Sequence, residues 1–225
     1  MGRYFDESYD QLNGKLLEMA ALVQDIIGRT FDSLTTDDDD AARNLIAADE
    51  EVDRREVEID ELVLKLLALQ QPMAVDLRFL ITVLKINADL ERMSDQAVNI
   101  SQSVIRLHSH ADRPHLVDFT AMEDAVQAMV RDCMEAFVTG DADLARSVCD
   151  RDDAVDQMNR DAIAYLVEHI RRNPDDADRA VSLLLISRNL ERIADLSTNI
   201  AEDAVYYIEG RIIRHLHDNP AEAAE

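Results

Sequence analysis

Residues that interrupt helices are scarce in this chain of 225 residues, which has only 5 glycines, 4 prolines and no tryptophan. Aromatic residues make up 4% of the sequence, whereas hydrophobic residues of all kinds make up 47%. So few turn formers and aromatics argue against a sandwich of short strands, and the apolar content is sufficient for a core. We therefore expect an all-α protein built from long helices.

Positive charge is also in short supply. The chain has 23 lysines and arginines against 47 aspartates and glutamates, which gives a net charge of −24. Such a field repels nucleic acids and anionic lipid surfaces, so neither is an expected partner. It favours metal ions, other cations or a basic partner protein, and bound cations would relieve the repulsion within the fold.

Signals for export or membrane insertion are missing as well. The chain has two cysteines, Cys133 and Cys149, and no CxxC motif, which suits a reducing compartment and provides no zinc signature. The charged opening MGRYFDESYD has no apolar signal region, and runs such as FLITVL are too short to span a bilayer. We expect a cytoplasmic protein without membrane insertion.

Hydrophobic periodicity and turn residues divide the chain into six expected helices. Pro72, Gly140–Asp141, Pro174 and Gly210 stand at helix ends. The expected helices cover residues 6–34, 38–70, 74–109, 115–139, 142–172 and 176–209. Short connections make successive helices antiparallel neighbours, so residues 1–110 and 111–225 are each expected to form a three-helix bundle.

A duplicated motif supports this division. Residues 90–100 read LERMSDQAVNI, and residues 190–200 read LERIADLSTNI. In the third helix Leu90 and Met93 belong to a heptad seam, which leaves Glu91, Asp95 and Asn99 off the seam at positions b, f and c. Glu191, Asp195 and Asn199 repeat this phase in the second half.

Each half carries two further acids one helix earlier. Asp49 and Asp53 precede the first motif, and Asp152 and Asp156 precede the second in the same heptad phase. Antiparallel packing can bring both helices' acids around one point in each half. The predicted metal ligands are Asp49, Asp53, Glu91, Asp95 and Asn99, with Asp152, Asp156, Glu191, Asp195 and Asn199.

Acid pairs at i and i+4 are common by chance in so acidic a chain, and most belong to solvated helix faces. Their recurrence in matched phase favours a metal site, since such like-charge pairs destabilise a helix by a few tenths of a kcal/mol. Oxygen-only ligands suit Mg²⁺, Ca²⁺, Mn²⁺ or ferric iron, and no Glu-x-x-His di-iron motif occurs. Placement off the seam predicts shallow surface sites.

Other features have simpler interpretations. Arg92 and Arg192 are expected to form surface salt bridges of little energetic weight, and the six histidines to be exposed loop residues. The segment GRIIRHLH at 210–217 is either a frayed helix end or a partner contact. The apolar stripe of Leu77, Ile81, Leu84 and Ala88 is a candidate partner-binding face.

Phosphate-loop and nucleophile motifs are missing, so no enzyme activity is expected.

Two long segments closely resemble the PhoU family of bacterial phosphate-transport regulators. They are LQQPMAVDLRFLITVLKINADLERMSDQAVNI at 69–100 and LLLISRNLERIADLSTNIAEDAVYYIEG at 183–210. The opening MGRYFDESYDQL is similar to the start of many members, so the resemblance covers essentially the whole chain.

The resemblance implies two three-helix bundles related by pseudo-two-fold symmetry, often as a homodimer. It implies multinuclear clusters of iron, or of zinc, manganese or magnesium, on the ten ligands named above. It also implies an adaptor without catalysis, which works with the phosphate ABC transporter and a membrane sensor histidine kinase. Such an adaptor negatively regulates phosphate uptake and the phosphate-starvation response.

Two other functions remain open from the residues alone. A metalloenzyme of the hydrolase type would use the same acids to activate a water, but it needs a pocket and a nearby base. A purely structural acidic bundle would bind no metal.

Overall fold

Long helices make up nearly all of the computed structural model, which describes residues 2–35, 39–108 and 116–213. The first three are α1 (Gly2–Thr35), α2 (Asp39–Gln70) and α3 (Val75–His108). The others are α4 (Thr120–Thr139), α5 (Ala142–Cys149), α6 (Asp152–Arg172) and α7 (Ala177–Glu209), with a 3-10 turn at Pro174–Asp176 before α7. The three described ranges contain no strand.

The helices form two bundles that share one interface. Helices α1, α2 and α3 pack together in the first bundle, and α4 to α7 form the second, in which α5 and α6 together take the place of one helix. The long helices α3 and α7 pack against each other between the bundles. The predicted all-α fold of two three-helix bundles with pseudo-two-fold symmetry is therefore confirmed.

The prediction of one continuous helix over 142–172 is wrong. Asp141 caps α5 by accepting hydrogen bonds from the backbone nitrogens of Asp143 and Leu144, and α5 ends at Cys149. The amide of Arg151 then bonds the Val148 carbonyl, a tightened turn from which α6 starts at Asp152. No glycine or proline marks this break, so the residue pattern does not indicate it.

The heptad seams lie in the core as predicted. Phe79, Val83, Ile86, Leu90, Met93, Ala97, Ile100 and Val104 of α3 are all buried, and so are Ile186, Leu190, Ile193, Ile200 and Ala204 of α7. In α2 and α6 the core positions include Val63 and Leu166, whereas Leu69 and Tyr165 near the ends of these helices are 68% and 52% exposed.

Buried polar contacts fix the register of the two helix pairs that carry the acids. The Asn87 amide of α3 donates to the Glu56 carbonyl at 3.0 Å and to Oδ1 of Asp60 at 2.9 Å, both on α2. In the second bundle the Ser187 hydroxyl of α7 donates to Oδ1 of Asn159 on α6 at 2.9 Å. Unmaking such a buried bond is costly, so each pair has one preferred alignment.

An aromatic cluster and an ion pair join the two halves. Tyr9, Phe79, Phe137 and Tyr207 meet at one end of the molecule, where the hydroxyls of Tyr9 and Tyr207 lie 3.0 Å apart. Nearby, the Lys85 ammonium of α3 lies 2.9 Å from the carboxylate of Asp203, a residue of α7 that is 2% exposed. These contacts hold α3 and α7 in one arrangement.

Among the described residues, no helix combines the length and the apolar character needed to cross a membrane.

The α3–α7 core should be sensitive to loss of volume. Leu190→Ala removes a side chain with 0% exposure, and we expect it to lower the free energy of unfolding by about 2–5 kcal/mol. Leu64→Ala, at a residue that is 61% exposed, is the matched control and should cost less than about 0.5 kcal/mol. Urea denaturation followed by circular dichroism measures both, and equal effects would contradict this account of the core.

Candidate metal centre

Three carboxylates converge between α6 and α7 of the second bundle. Oxygens of Asp156 on α6 and of Glu191 and Asp195 on α7 all lie within 4.8 Å of one another. Glu191 is only 7% exposed, while Asp195 is exposed, so the group is closed on one side and open to solvent on the other. The prediction of a shallow site holds for Asp195 but is wrong for Glu191.

The buried oxygens of this cluster have unused hydrogen-bonding capacity. Oε1 of Glu191 accepts a hydrogen bond from Arg188 at 2.7 Å. Oε2 of Glu191 and Oδ1 of Asp152 are buried and have no hydrogen-bond partner among the described residues. Buried carboxylate oxygens without partners cost free energy, and a bound cation would remove that cost.

Burial and mutual repulsion raise the pKa of the second-bundle acids. The pKa of Asp152 rises to about 6 because of burial, with further contributions from the charges of Asp195 and Asp156. The pKa of Asp195 also rises to about 6, through burial and then through Glu191 and Asp156. Asp152 is not part of the group of three carboxylates, but it is therefore close enough to interact with that group electrostatically.

The first bundle assembles the same four acids. Burial raises the pKa of Glu91 to about 7, and the charges of Asp95, Asp53 and Asp49 contribute. Burial likewise raises the pKa of Asp49, although the Ser94 hydroxyl donates to its Oδ1 at 2.6 Å and opposes that shift. The predicted carboxylates of α2 and α3 therefore lie close enough to influence one another electrostatically, but within the described residues only Asp156, Glu191 and Asp195 bring three carboxylate oxygens within 4.8 Å of one another.

The two sites are not equivalent. Glu191 is paired with Arg188, whereas Ala88 occupies the matching position before Glu91 and provides no counter-charge. Conversely, Ser94 holds Asp49, whereas Ala194 at the matching position cannot donate to Asp152. The two sites therefore compensate different carboxylates, Asp49 in the first bundle and Glu191 in the second.

Glu56 is an acid near the first site that the duplicated motif does not indicate. This α2 residue lies one turn after Asp53, and burial raises its pKa, with contributions from Asp60 and Asp53. Its charge in turn raises the pKa of Glu91. Its spacing of three residues from Asp53 could have indicated that Glu56 lies beside the other acids. In the second bundle, however, Asn159 takes this position, so the comparison of the two repeats does not reveal it.

The remaining predicted residues lie at the edges of the sites. Asn99 is exposed and Asn199 half-buried, each one turn beyond the motif aspartate on the same helix face. Arg92 is exposed and forms an ion pair with Asp89 at 3.1 Å, but Asp89 is only 5% exposed, so the pair is partly buried and not the surface salt bridge that was expected.

The histidine prediction can be assessed only in part. His169 is wrongly assigned to a loop, because it lies in α6 with Nε2 2.8 Å from Asp176. The described side chains do not include the other histidines, His108, His110, His115, His215 and His217. Among the described side chains, that of His169 therefore indicates a structural contact and not an additional metal ligand.

The donor set fits a hard cation. It consists of carboxylate oxygens held on two neighbouring helices, with partial burial and mutual repulsion that a positive ion would relieve. Protein-bound Mg²⁺, Mn²⁺ and ferric iron take such ligands, and four carboxylates in each bundle provide more donor oxygens than one ion requires.

Comparison with known proteins identifies the architecture. Residues 16–104 and 119–204 each match the family model of the PhoU domain. The phosphate-specific transport system accessory protein PhoU homolog of Pseudomonas putida is 33% identical over 96% of this chain and 85% of its own length. The homolog of that name from Aquifex aeolicus is 34% identical over 92% of this chain and 94% of its own.

A solved structure agrees with the whole arrangement. The crystal structure of PhoU from Pseudomonas aeruginosa superposes with a TM-score of 0.89 at 32% sequence identity. The match covers 92% of this chain and 100% of that one.

One strongly shifted acid lies outside both sites. Burial raises the pKa of Glu123 on α4 to about 7, and the charges of Asp118, Asp124 and Asp32 contribute. In the unfolded chain this carboxyl has its ordinary pKa of 4.5, so the ionised form destabilises the folded protein increasingly as pH rises from 4.5 through 7.

We therefore expect Glu123→Gln to stabilise the protein at pH 8 and to have little effect at pH 5. Because the side chain is only half-buried, solvent screening reduces the gain to about 1 kcal/mol. Thermal melts across this pH range measure it, with Glu50→Gln at an exposed position as the control. A gain independent of pH would show that the charge of Glu123 is not its cause.

Proposed function

The chain belongs to the PhoU domain family, and on that premise we propose a metal-binding helical adaptor that negatively regulates phosphate uptake and phosphate-starvation signalling. Its proposed partners are the phosphate ABC transporter and a membrane sensor histidine kinase. The relatives' description as accessory proteins of phosphate-specific transport supports the first of these. Cytoplasmic location and a homodimer belong to the same proposal.

The observation that carries the metal-binding part is the group of Asp156, Glu191 and Asp195. Its oxygens lie within 4.8 Å of one another, and Oε2 of the buried Glu191 has no hydrogen-bond partner among the described residues. A surface patch of solvated acids would not bury a carboxylate oxygen in this way. A cation bound there would satisfy Oε2 and cancel the repulsion that raises the pKa of Asp195.

We propose one multinuclear cluster in each bundle, with iron as the first candidate and zinc, manganese or magnesium as the others. The ligands are the four acids of each site together with Asn99 or Asn199. Carboxylate and amide oxygens prefer hard ions, which favours ferric iron, manganese and magnesium over zinc. The clusters stabilise the apposition of the two acid-bearing helices and require no bound substrate.

A non-catalytic role fits the chemistry of the site better than hydrolysis does. Hydrolysis by a metal-activated water needs an open ligand position and a nearby base in a shielded pocket. Asp95 and Asp195 are exposed, so the sites open directly to solvent. Phosphatase activity that disappears in Glu91→Ala would favour the metalloenzyme instead.

A partner-binding face on α3 remains part of the proposal. Leu77 and Ile81 are 41% and 37% exposed, whereas Leu84 and Ala88 are half-buried. The first two residues of the stripe are therefore accessible to a partner, whereas Leu84 packs against the core.

Elemental analysis of the purified protein tests the metal sites. We expect several equivalents of iron, manganese or zinc in the wild type and loss of most of them in Asp95→Ala/Asp195→Ala. The matched control is Asp25→Ala/Asp143→Ala, which removes the same charge at side chains that are 58% and 99% exposed.

Chelation should also lower the melting temperature of the wild type. A ligand at a hundredfold excess over its dissociation constant stabilises a protein by about 2.7 kcal/mol, an effect that the double variant should lack. A melting temperature that does not change on chelation, in protein that takes up none of these ions, would support the purely structural acidic bundle.

A further inference from the structure

The two acid sites differ in the positive charges that surround them. Buried positions of α2 recur 103 residues later in α6, as Val52 does in Val155. Buried positions of α3 recur 100 residues later in α7, as Leu90 does in Leu190. The residues around the two sites can therefore be compared position by position.

Two arginines are paired with acids of the second site. The Arg188 guanidinium of α7 lies 2.7 Å from Oε1 of Glu191. The Arg160 guanidinium of α6 lies 3.0 Å from Oδ2 of Asp156, one helical turn earlier. Two of the three carboxylates that converge between α6 and α7 therefore already have a positive partner.

The first bundle has apolar residues at both matching positions. Val57 stands where the second bundle has Arg160, and Ala88 stands where it has Arg188. The difference is coordinated, because both arginines that contact the second site are missing from the first. Neither replacement can neutralise a carboxylate.

The arginines that follow Asp53 in α2 do not compensate for this loss. Arg54 and Arg55 both pair with Glu51 instead. The charges that contribute to the raised pKa of Glu91 are all carboxylates, whereas Arg188 opposes the rise in the pKa of the matching glutamate in the second bundle. The first site is therefore the more negative environment.

A further acid increases the difference. Glu56 lies one turn after Asp53, and its charge contributes to the raised pKa of Glu91. Asn159 stands at the matching position of the second bundle, where its buried Oδ1 accepts a hydrogen bond from Ser187 at 2.9 Å. The first bundle thus has one more carboxylate and two fewer arginines near its site.

These differences act on a bound cation in two ways. Each guanidinium repels a divalent ion about twice as strongly as it would a monovalent ion at the same distance. Each also occupies an oxygen, of Glu191 or of Asp156, which leaves fewer free ligand atoms. The convergence of the second-site oxygens favours binding, but ordering the short carboxylate side chains of the first site costs little entropy, so the charges decide.

We infer that Arg160 and Arg188 are resident counter-ions that make the second site the weaker of the two metal sites. The first bundle, which lacks both, takes up a hard cation first and depends on it more to hold α2 against α3. Between the two affinities the protein carries metal in one bundle alone, so occupancy of the second site responds to the metal supply. The inference rests on the proposed metal sites and adds an order of loading to them.

Binding of Mn²⁺ to each site separately tests this order. Asp195→Ala leaves only the first site intact, and Asp95→Ala leaves only the second. Both full-length proteins are stripped with a chelator, and electron paramagnetic resonance of free Mn²⁺ measures their affinities in the same buffer and salt. We expect the protein with the intact first site to bind Mn²⁺ about tenfold more tightly.

Removal of the arginines tests their role in this difference. Arg160→Val/Arg188→Ala, made in the Asp95→Ala protein, gives the second site the residues of the first. We expect it to strengthen Mn²⁺ binding by about tenfold. The two side chains are 57% and 51% exposed, so their removal leaves the core intact.

The reverse exchange is Val57→Arg/Ala88→Arg in the Asp195→Ala protein, and it should weaken Mn²⁺ binding by a similar factor. Circular dichroism and melting temperature verify that each variant is folded. If the reverse exchange does not fold, the removal of the arginines decides.

A matched control removes two arginines elsewhere. Arg29→Ala/Arg171→Ala, also in the Asp95→Ala protein, makes the same charge change at exposed side chains that pair with Asp25 and Glu168. It should change Mn²⁺ binding by less than about twofold, because solvent and salt screen such charges. An equal gain in this control would reduce the effect to net charge and overturn the inference.

The other outcomes separate this inference from the proposed function. Equal affinities at the two sites, a tighter second site, or unchanged affinity after removal of the arginines would overturn only the order of loading. Wild-type protein that binds no Mn²⁺ at either site would also overturn it. The metal content of the protein as purified then decides whether the proposed clusters stand.

Discussion

The packing of α3 against α7 is the interaction on which the rest of the structure depends. Each helix buries its whole heptad seam, and small buried residues such as Ala97, Ala194 and Ala201 allow close packing along both long helices. A helix that uses one face for this interface has only the flanking faces left for α2 or α6. The acids at the b and f positions are therefore directed to the two outer helices, and their convergence follows from the central interface.

That convergence imposes an electrostatic cost that the polypeptide offsets only in part. In the second bundle Arg188 balances Glu191, and Asp152 and Asp153 lie in the first turn of α6, where the helix dipole favours negative charge. In the first bundle α2 runs unbroken through Asp49 and Asp53, and Ser94 stabilises Asp49 through a single hydrogen bond. Glu91 consequently has the more strongly raised pKa, about 7. The two halves therefore offset the same repulsion between carboxylates through different contacts.

Much of this arrangement could be predicted from the sequence, because long helices with regular seams carry a strong periodic signal. The core residues of α3 and α7 and the apposition of Asp156 with Glu191 and Asp195 are examples. The break after Cys149 could not be predicted, since it depends on tertiary contacts such as that of Arg151 with Asp132 at 2.9 Å. Nor could the raised pKa of Glu123, because it arises from burial at a position where the first half has Ala20.

A duplicated fold provides its own internal comparison, and this comparison separates structural residues from specialised ones. Where both halves keep a residue type, as at Leu90 and Leu190 or Asp95 and Asp195, the same physical requirement applies to both halves. Where they differ in a coordinated way, a single requirement of stability cannot explain both. Ser94 beside Asp49 and Arg188 beside Glu191 are such cases, since each contact occurs at one acidic site alone and the other half has alanine at the matching position, 194 or 88.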